Sequence, residues 1–394
     1  MNALALLVLA QTTLVVTNTN DSGSGSLRAA IEGTYGCRPV CAISFNIPGP
    51  GPWHTIKPER PLPPMLIYTT IVGGSQTTFG GNTNPDGPEI ELNGSLLREG
   101  SGLHLCGGNI TGLAINGFPE NGLTLGGDHC TSFGVTTLRG GGVSDNYIGT
   151  DPTGRVAVPN SRGIWMSDLP FIPQAQYAWS ITRNVVSGNR HSGIFIQKGP
   201  AKITRNTIGL TAKRDGPLGN GASGVAIMEN GSGTDVDDNY IGFNHHFGVG
   251  IQGGTKHIAL HGNSFQANWG LAIDYGFDGA STVLPDAVDV PTILQARYEQ
   301  GATIIEAVLP NHRYNIPTLT YYASDAPDPS GYGEGQYVLG IGGRTFRCAC
   351  DLRGKWITAT ATVHFYYGAL PATNGDYFAT STSTSEFSRA VQVH

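Results

Sequence analysis

Three charged residues, Asp168, Lys198 and Glu229, recur at steps of 30 and 31 residues. Each follows a short segment of one form, a glycine and then apolar residues at alternate positions: GIWM (163–166), GIFI (193–196) and GVAI (224–227). If these segments are neighbouring strands about 4.8 Å apart, Asp168 and Glu229 stand roughly 9.6 Å apart with Lys198 between them. That is the upper edge of the ~6.5–9.5 Å that separates the acid and base of an inverting glycoside hydrolase. A lysine between two carboxylates keeps both ionised, or, with its own pKa lowered, takes the proton α to a uronate carboxylate. Trp165 and Phe195, outward on the same strands, would offer a stacking platform for a sugar ring. A solvated Asp–Lys–Glu ladder that compensates its own charge explains the same three residues without chemistry.

A second stretch invites a chemical reading, DVDDNYIGFNHHFG (235–248). Asp235, Asp237 and Asp238 offer hard oxygen ligands of the kind calcium takes, so calcium is the one cofactor the sequence suggests; otherwise none is expected. His245 and His246 precede Gly248 where the neighbouring coil has Arg190 and His191, which would place these histidines along the border of one sheet. Adjacent histidines on extended chain point apart, and no metal site is expected there.

The elements that position these residues form a repeat. VSDNYI (143–148), ITRNVV (181–186), ITRNTI (203–208), VDDNYI (236–241) and LHGNSF (260–265) share one pattern, each followed by a second element, the last two being GVGI (248–251) and GLAI (270–273). Short parallel strands joined by Gly/Asn-rich turns, without crossover helices, stack as a solenoid of about three strands per coil. Asn146, Asn184, Asn206, Asn239 and Asn263 then form an internal amide ladder, and Asp237 and Asp238 decorate a turn. Aligning the second elements on their glycines gives outward columns Trp165, Phe195, Ala226, Gly250, Ala272, then Ser167, Gln197, Met228, Gln252, Asp274, then Asp168, Lys198, Glu229, Gly253, Tyr275. The candidate catalytic residues are therefore Asp168, Lys198, Glu229 and Asp274. The candidate substrate-binding residues are Trp165, Phe195, Gln197, Gln252, His245 and Tyr275. Two longer loops, 147–162 and 207–223, should project from one side and wall a groove.

Composition agrees with this frame. The 394 residues include 57 Gly and only 13% charged residues, yet 39% are hydrophobic, which points to many turns between short strands rather than disorder. A net charge of −6 without basic runs argues against nucleic acid as a partner. No stretch reaches the roughly 18 apolar residues of a membrane helix. MNALALLVLA, with Val8-Leu9-Ala10 as a cleavage site, reads as the remnant of an export signal or as a first strand. Six cysteines without a Cys-x-x-Cys pair suggest three local disulfides, 37–41, 106–130 and 348–350, in an oxidising compartment. The chain is therefore expected to be secreted or held at the cell surface.

The segments DNYIGTDPTGR, ISFNIPGPGPWHTIKPERPLPP, GGNTNPDGPEIELNGS and VTNTNDSGSGSLRAAI resemble bacterial secreted right-handed parallel β-helix proteins of the pectin-lyase-like class. GYGEGQYVLG, WITATATV and STSEFS resemble the small β-sandwich module that follows such helices. The resemblance implies an all-β chain: a cap with one amphipathic helix in 1–65, a parallel β-helix over 66–285 and a sandwich over 286–394. It implies a polysaccharide partner, and a lyase or glycoside hydrolase working along the outward face of one sheet. The alternative is a non-catalytic surface or adhesion protein. The Asp237-Asp238 and His261-Gly262 pairs are similar to polygalacturonase motifs. The Asn-Thr-Asp and Arg-x-Lys that accompany them in that group are absent here, and the repeat already accounts for both pairs.

Overall fold

Each short segment puts alternate apolar side chains on one face, and burying them requires neighbours above, below and across. The computed structural model describes residues 12–37, 40–66, 68–127, 130, 140–167, 179–280, 288–309, 316–366 and 380–394. It solves the burial problem with three parallel sheets wound around one core as a right-handed β-helix. Sheet I has nine strands, from Thr12–Val16 to Ala259–His261. Sheet II has eight, from His54–Ile56 to Ser264–Gln266, and sheet III has seven, from Leu103–Leu105 to Ile273–Tyr275. Inward residues such as Ile181, Ile203 and Val236 of sheet I, Ile208 and Ile241 of sheet II, and Ile194, Ile196 and Ile227 of sheet III are fully or almost fully buried.

The expected asparagine ladder runs through the bend between sheets I and II. The Nδ2 of Asn146, Asn184, Asn206 and Asn239 each donates to the Oδ1 of the next asparagine, at 3.1, 3.0, 2.9 and 2.9 Å. Before each rung the chain turns through a left-handed residue, Asp145, Arg183, Arg205 and Asp238, with φ between 55° and 58°. Asp238 is therefore a turn residue, as the repeat implies. A second ladder, which the repeat reading does not contain, fills the bend between sheets II and III. Asn160, Asn189, Asn220, Asn244 and Asn268 are linked in the same way, at 3.1, 2.9, 2.9 and 2.9 Å. Both ladders satisfy backbone groups that the tight bends leave without strand partners.

The helix Leu27–Gly33 is capped by the Ser26 side chain, which accepts from the Ala29 amide, and buries Leu27, Ala30 and Ile31 as expected. At the other end of the chain a three-stranded and a five-stranded antiparallel sheet enclose a second core containing Ile293, Ile305, Leu319, Tyr321, Ile357 and Ala359. This module sits on the last coil. Thr384 donates its amide to the Ile258 carbonyl (2.9 Å), Phe265 donates to the Gly335 carbonyl (3.0 Å), and Phe387 meets Phe265 edge-on. The open end of the apolar column is thereby covered, which a solenoid needs. The disulfides are Cys37–Cys41, Cys106–Cys130 and Cys348–Cys350. No helix among the described residues is long and apolar enough to cross a membrane.

Candidate functional site

The outward face of sheet III carries the residue column His104, Thr124, Trp165, Phe195, Ala226, Gly250 and Asp274, paired strand to strand, and a groove runs along part of it. Two depressions lie along it. The wider, about 590 Å³, is lined by His104, Ser101, Glu120, Thr124, Ser167, Trp165 and Gln197, with Pro61, Leu62 and Pro64 as one wall. The narrower, about 380 Å³, is lined by Arg162, Trp165, Phe195, Gln197, Met228, Glu229 and Gln252. Trp165 and Gln197 belong to both, so the two form one continuous feature.

Its aromatic residues are held in place. The Trp165 indole donates to Gln197 Oε1 at 3.1 Å, and the Arg162 guanidinium lies 5.2 Å from the centre of the Phe195 ring, within cation–π range. Both rings are half-buried, leaving one flank to the groove. Gln252 accepts from the Glu229 amide at 3.0 Å, which aligns the far end. Of the predicted residues, Trp165, Phe195, Gln197, Glu229 and Gln252 are thus brought together, with Lys198 on the same strand as Phe195. Asp168 lies outside the described residues, so its pairing with Glu229 is not part of this geometry.

Four placements differ from expectation. The register shifts between Ile196 and Lys198, so that Lys198 pairs with Asn230 rather than Glu229. A bulge of this kind re-aims side chains and breaks the expected Asp–Lys–Glu row. Second, Val249 pairs with Ile273 and Ile251 with Tyr275, two residues beyond the alignment on glycines. The cause is the second ladder: Ile273 lies five residues after Asn268, just as Val249 lies five after Asn244. Asp274 consequently shares the column of Trp165 but is fully buried. Its Oδ2 accepts from the Gly279 amide at 3.1 Å, and burial pushes its carboxyl pKa up. Third, Tyr275 points into the core end. Its hydroxyl donates to the Thr384 carbonyl at 2.9 Å, its amide donates to Glu386, and burial raises its pKa. Neither Asp274 nor Tyr275 faces the groove.

Fourth, the two long loops do not wall sheet III. They pair back on themselves at Thr150–Ala157 and Leu210–Pro217 and stack on each other through Ala212 N to Gly154 O (2.9 Å) and Arg155 to Asp215 (3.0 Å). They cover sheet II, where Tyr147 donates to the Asp86 carbonyl and Arg214 lies 4.0 Å over Tyr240. The walls of the groove come instead from segments near 61–64 and 100–101, which no repeat signal marks.

His245 stacks on Trp269 with ring centroids 4.3 Å apart, on consecutive rungs just after Asn244 and Asn268. His246 leans on Phe247 instead, so the two adjacent histidines diverge. Asp237, on the outward face of sheet I, accepts from His261 one coil along, at 3.1 Å. Beside it, burial and the Asp237 charge raise the pKa of Asp235. Asp235 and Asp237 thus engage sheet I rather than the groove. His104, Ser101, Thr124 and Glu120 were not found by sequence reasoning, because their coils lack the asparagine that marks the repeat.

The family description "right handed beta helix region" matches residues 159–284. Comparison with curated proteins and with solved structures returned no match. The matched stretch contains the whole second ladder, the first ladder from Asn184 onward and the narrower half of the groove. Together with the three stacked parallel sheets, it makes this chain a right-handed parallel β-helix protein.

Proposed function

We propose that the outward face of sheet III binds an extended polysaccharide, and that the protein is a secreted or cell-surface carbohydrate-active protein. The observation that carries this reading is the strip of Trp165, Phe195, Gln197 and Gln252, with rings on two neighbouring coils and amides beside and beyond them, along a groove continuous over several coils. Rings stack on the apolar faces of sugars and amides bond their hydroxyls, which is how a concave site fixes such a ligand. Three disulfides in one chain favour an oxidising compartment.

Cleavage is the sharper form of the proposal, with Lys198 as base or Glu229 as acid at the bulged strand. The carboxylates described in the groove, Glu120 and Glu229, stand at strands three apart in sheet III and at opposite ends of them, so they are separated by more than about 14 Å. That exceeds the ~5–9.5 Å of a glycosidase pair, so hydrolysis by these two is disfavoured. Elimination from a uronate needs one base and a cation for the carboxylate, and Lys198 and Arg162 have the chemistry for those roles. The same wide spacing favours, as second reading, a non-catalytic surface protein that only holds glycan.

A panel of neutral and uronate-containing polysaccharides, assayed for binding, reducing ends and unsaturated-uronate absorbance, tests both forms. Binding without product leaves the surface protein. Unsaturated product lost in Lys198→Ala establishes the lyase. No binding to any glycan overturns the proposal.

A further inference from the structure

At the wide end of the groove, His104 stands on the strand Leu103–Leu105 and Cys106 follows one residue beyond it. Cys106 packs in the same core cluster as Leu103 and Leu105, while His104 lines the groove. The bond to Cys130 closes a 24-residue separation and brings its sulfur beneath the same imidazole. The donor atoms of His104, Cys106 and Cys130 all lie within 4.8 Å of one another, and Cys130 Sγ is 3.8 Å from His104 Nε2. Both cysteines are fully buried, whereas His104 is half-buried and lines the groove. No other group of three such donors converges among the described residues. The Cys37–Cys41 and Cys348–Cys350 pairs therefore have no third donor of this kind in reach there.

We propose that His104, Cys106 and Cys130 form a zinc-type metal site that is mutually exclusive with the Cys106–Cys130 disulfide. Two thiolates and an imidazole are a donor set suited to Zn²⁺, and tetrahedral bonds of about 2.3 Å to sulfur and 2.0–2.1 Å to nitrogen place donors roughly 3.5–3.8 Å apart. The His104 Nε2 contact to Cys130 already has that span. The same loop is closed in either state, by a covalent bond or through a metal.

The exchange balances with a dithiol reductant and Zn²⁺ as co-reactants. When Zn²⁺ enters the reduced site, two thiols lose their protons and the imidazole binds neutral. The bond that Nε2 now donates to the Gly126 carbonyl is given up if that nitrogen ligates. Passing from disulfide to dithiol takes two electrons and two protons from a dithiol reductant, which leaves as its own disulfide. Because the sulfurs are buried, the choice is made as the chain folds: an oxidising medium yields the disulfide, a reducing one with zinc yields the metal site.

The test uses the full chain with Cys37, Cys41, Cys348 and Cys350 changed to Ser, folded under a phosphine reductant and titrated with Co²⁺. The expected result is one equivalent bound with a near-ultraviolet thiolate-to-cobalt charge-transfer band, displaced by Zn²⁺ and missing from the oxidised protein. His104→Ala should weaken binding at least tenfold. If the reduced, metal-free chain loses its β-sheet circular dichroism, Zn²⁺ must restore it. A folded reduced protein without the band, a failure of Zn²⁺ to restore the fold, or equal affinity in His104→Ala would each overturn the proposal.

Discussion

Trp165 and Asp274 occupy the same outward column of sheet III, four strands apart, and their surroundings are opposite. At Trp165 and Phe195 no described residue closes over the column, and the rings border the groove. At Gly250 and Asp274 the column is closed. Phe277 stacks on Phe247 at 5.7 Å directly over Gly250, where even a methyl group would lie 2.7 Å from the Phe277 ring. The turn 276–279 wraps the Asp274 carboxyl, and the antiparallel module seals the coil below. A regular solenoid offers equivalent positions in every coil, so what distinguishes a binding position from a structural one is what lies over it. The outward alternation of a strand identifies candidates; the cover selects among them.

That comparison can be broken at several levels. The largest effect strikes both stretches alike. Asn206→Ala removes a side chain whose Oδ1 accepts from the Asn184 amide and Nδ2 and whose Nδ2 donates to Ile181 O and Asn239 Oδ1. Four buried hydrogen bonds are lost, at about 1 kcal/mol each, and the Asn184 amide loses its side-chain acceptor, so denaturant unfolding should show a loss of about 4 kcal/mol or more. A loss under about 1 kcal/mol would mean the ladder is dispensable.

The sealed end should respond to pH. Glu334 lies where the module meets the last coil and accepts from the Ala267 amide. Burial pushes its carboxyl up to about 7 from 4.5, and the nearby Asp328 charge adds to the rise. A carboxyl raised in the folded state stabilises the fold fully below its unfolded pKa. That contribution, at most about 3 kcal/mol, is lost as pH climbs from about 4.5 through 7. Thermal unfolding in that window should lose stability with rising pH, and Glu334→Gln should flatten the slope. An unchanged slope in the variant would assign the effect to other groups.

The smallest effect is expected at Asp274. Its carboxyl is buried and its pKa raised, so Asp274→Asn should change stability by less than about 1 kcal/mol and leave glycan binding within twofold. A tenfold loss of binding would return this residue to the groove and refute the contrast with Trp165.

Much of this architecture is legible in the residues, and the failures share a cause. The apolar-x-x-Asn-x-apolar motif marks one ladder and the inward residues of sheets I and II, and the glycine-led element marks those of sheet III up to the last coil, because their geometry is local and repeats. Asn160, Asn189, Asn220, Asn244 and Asn268 repeat as well, but they sit in loops of unequal length, and only stacking reveals that they align. Without them, alignment on glycine slips by two residues in the last coil, sets Asp274 in the column of Ser167 and turns Tyr275 outward. Lys198 and Glu229 are displaced by a bulge that no sequence spacing encodes. The groove walls at Pro61–Pro64 and Gly100–Ser101 and the cover at Phe277 come from outside the repeat, and so does the difference between open and closed positions.

The central claim is that the exposed stretch around Trp165 and Phe195 holds an extended glycan. Calorimetric titration with oligosaccharides of increasing length, drawn from whichever polysaccharide binds, measures it directly for the native chain and for Trp165→Ala. The account predicts affinity that rises with length until the groove is filled, and about a tenfold loss in Trp165→Ala, the order of one lost ring contact, with unfolding unchanged. Affinity independent of length, or undiminished in Trp165→Ala, would contradict it.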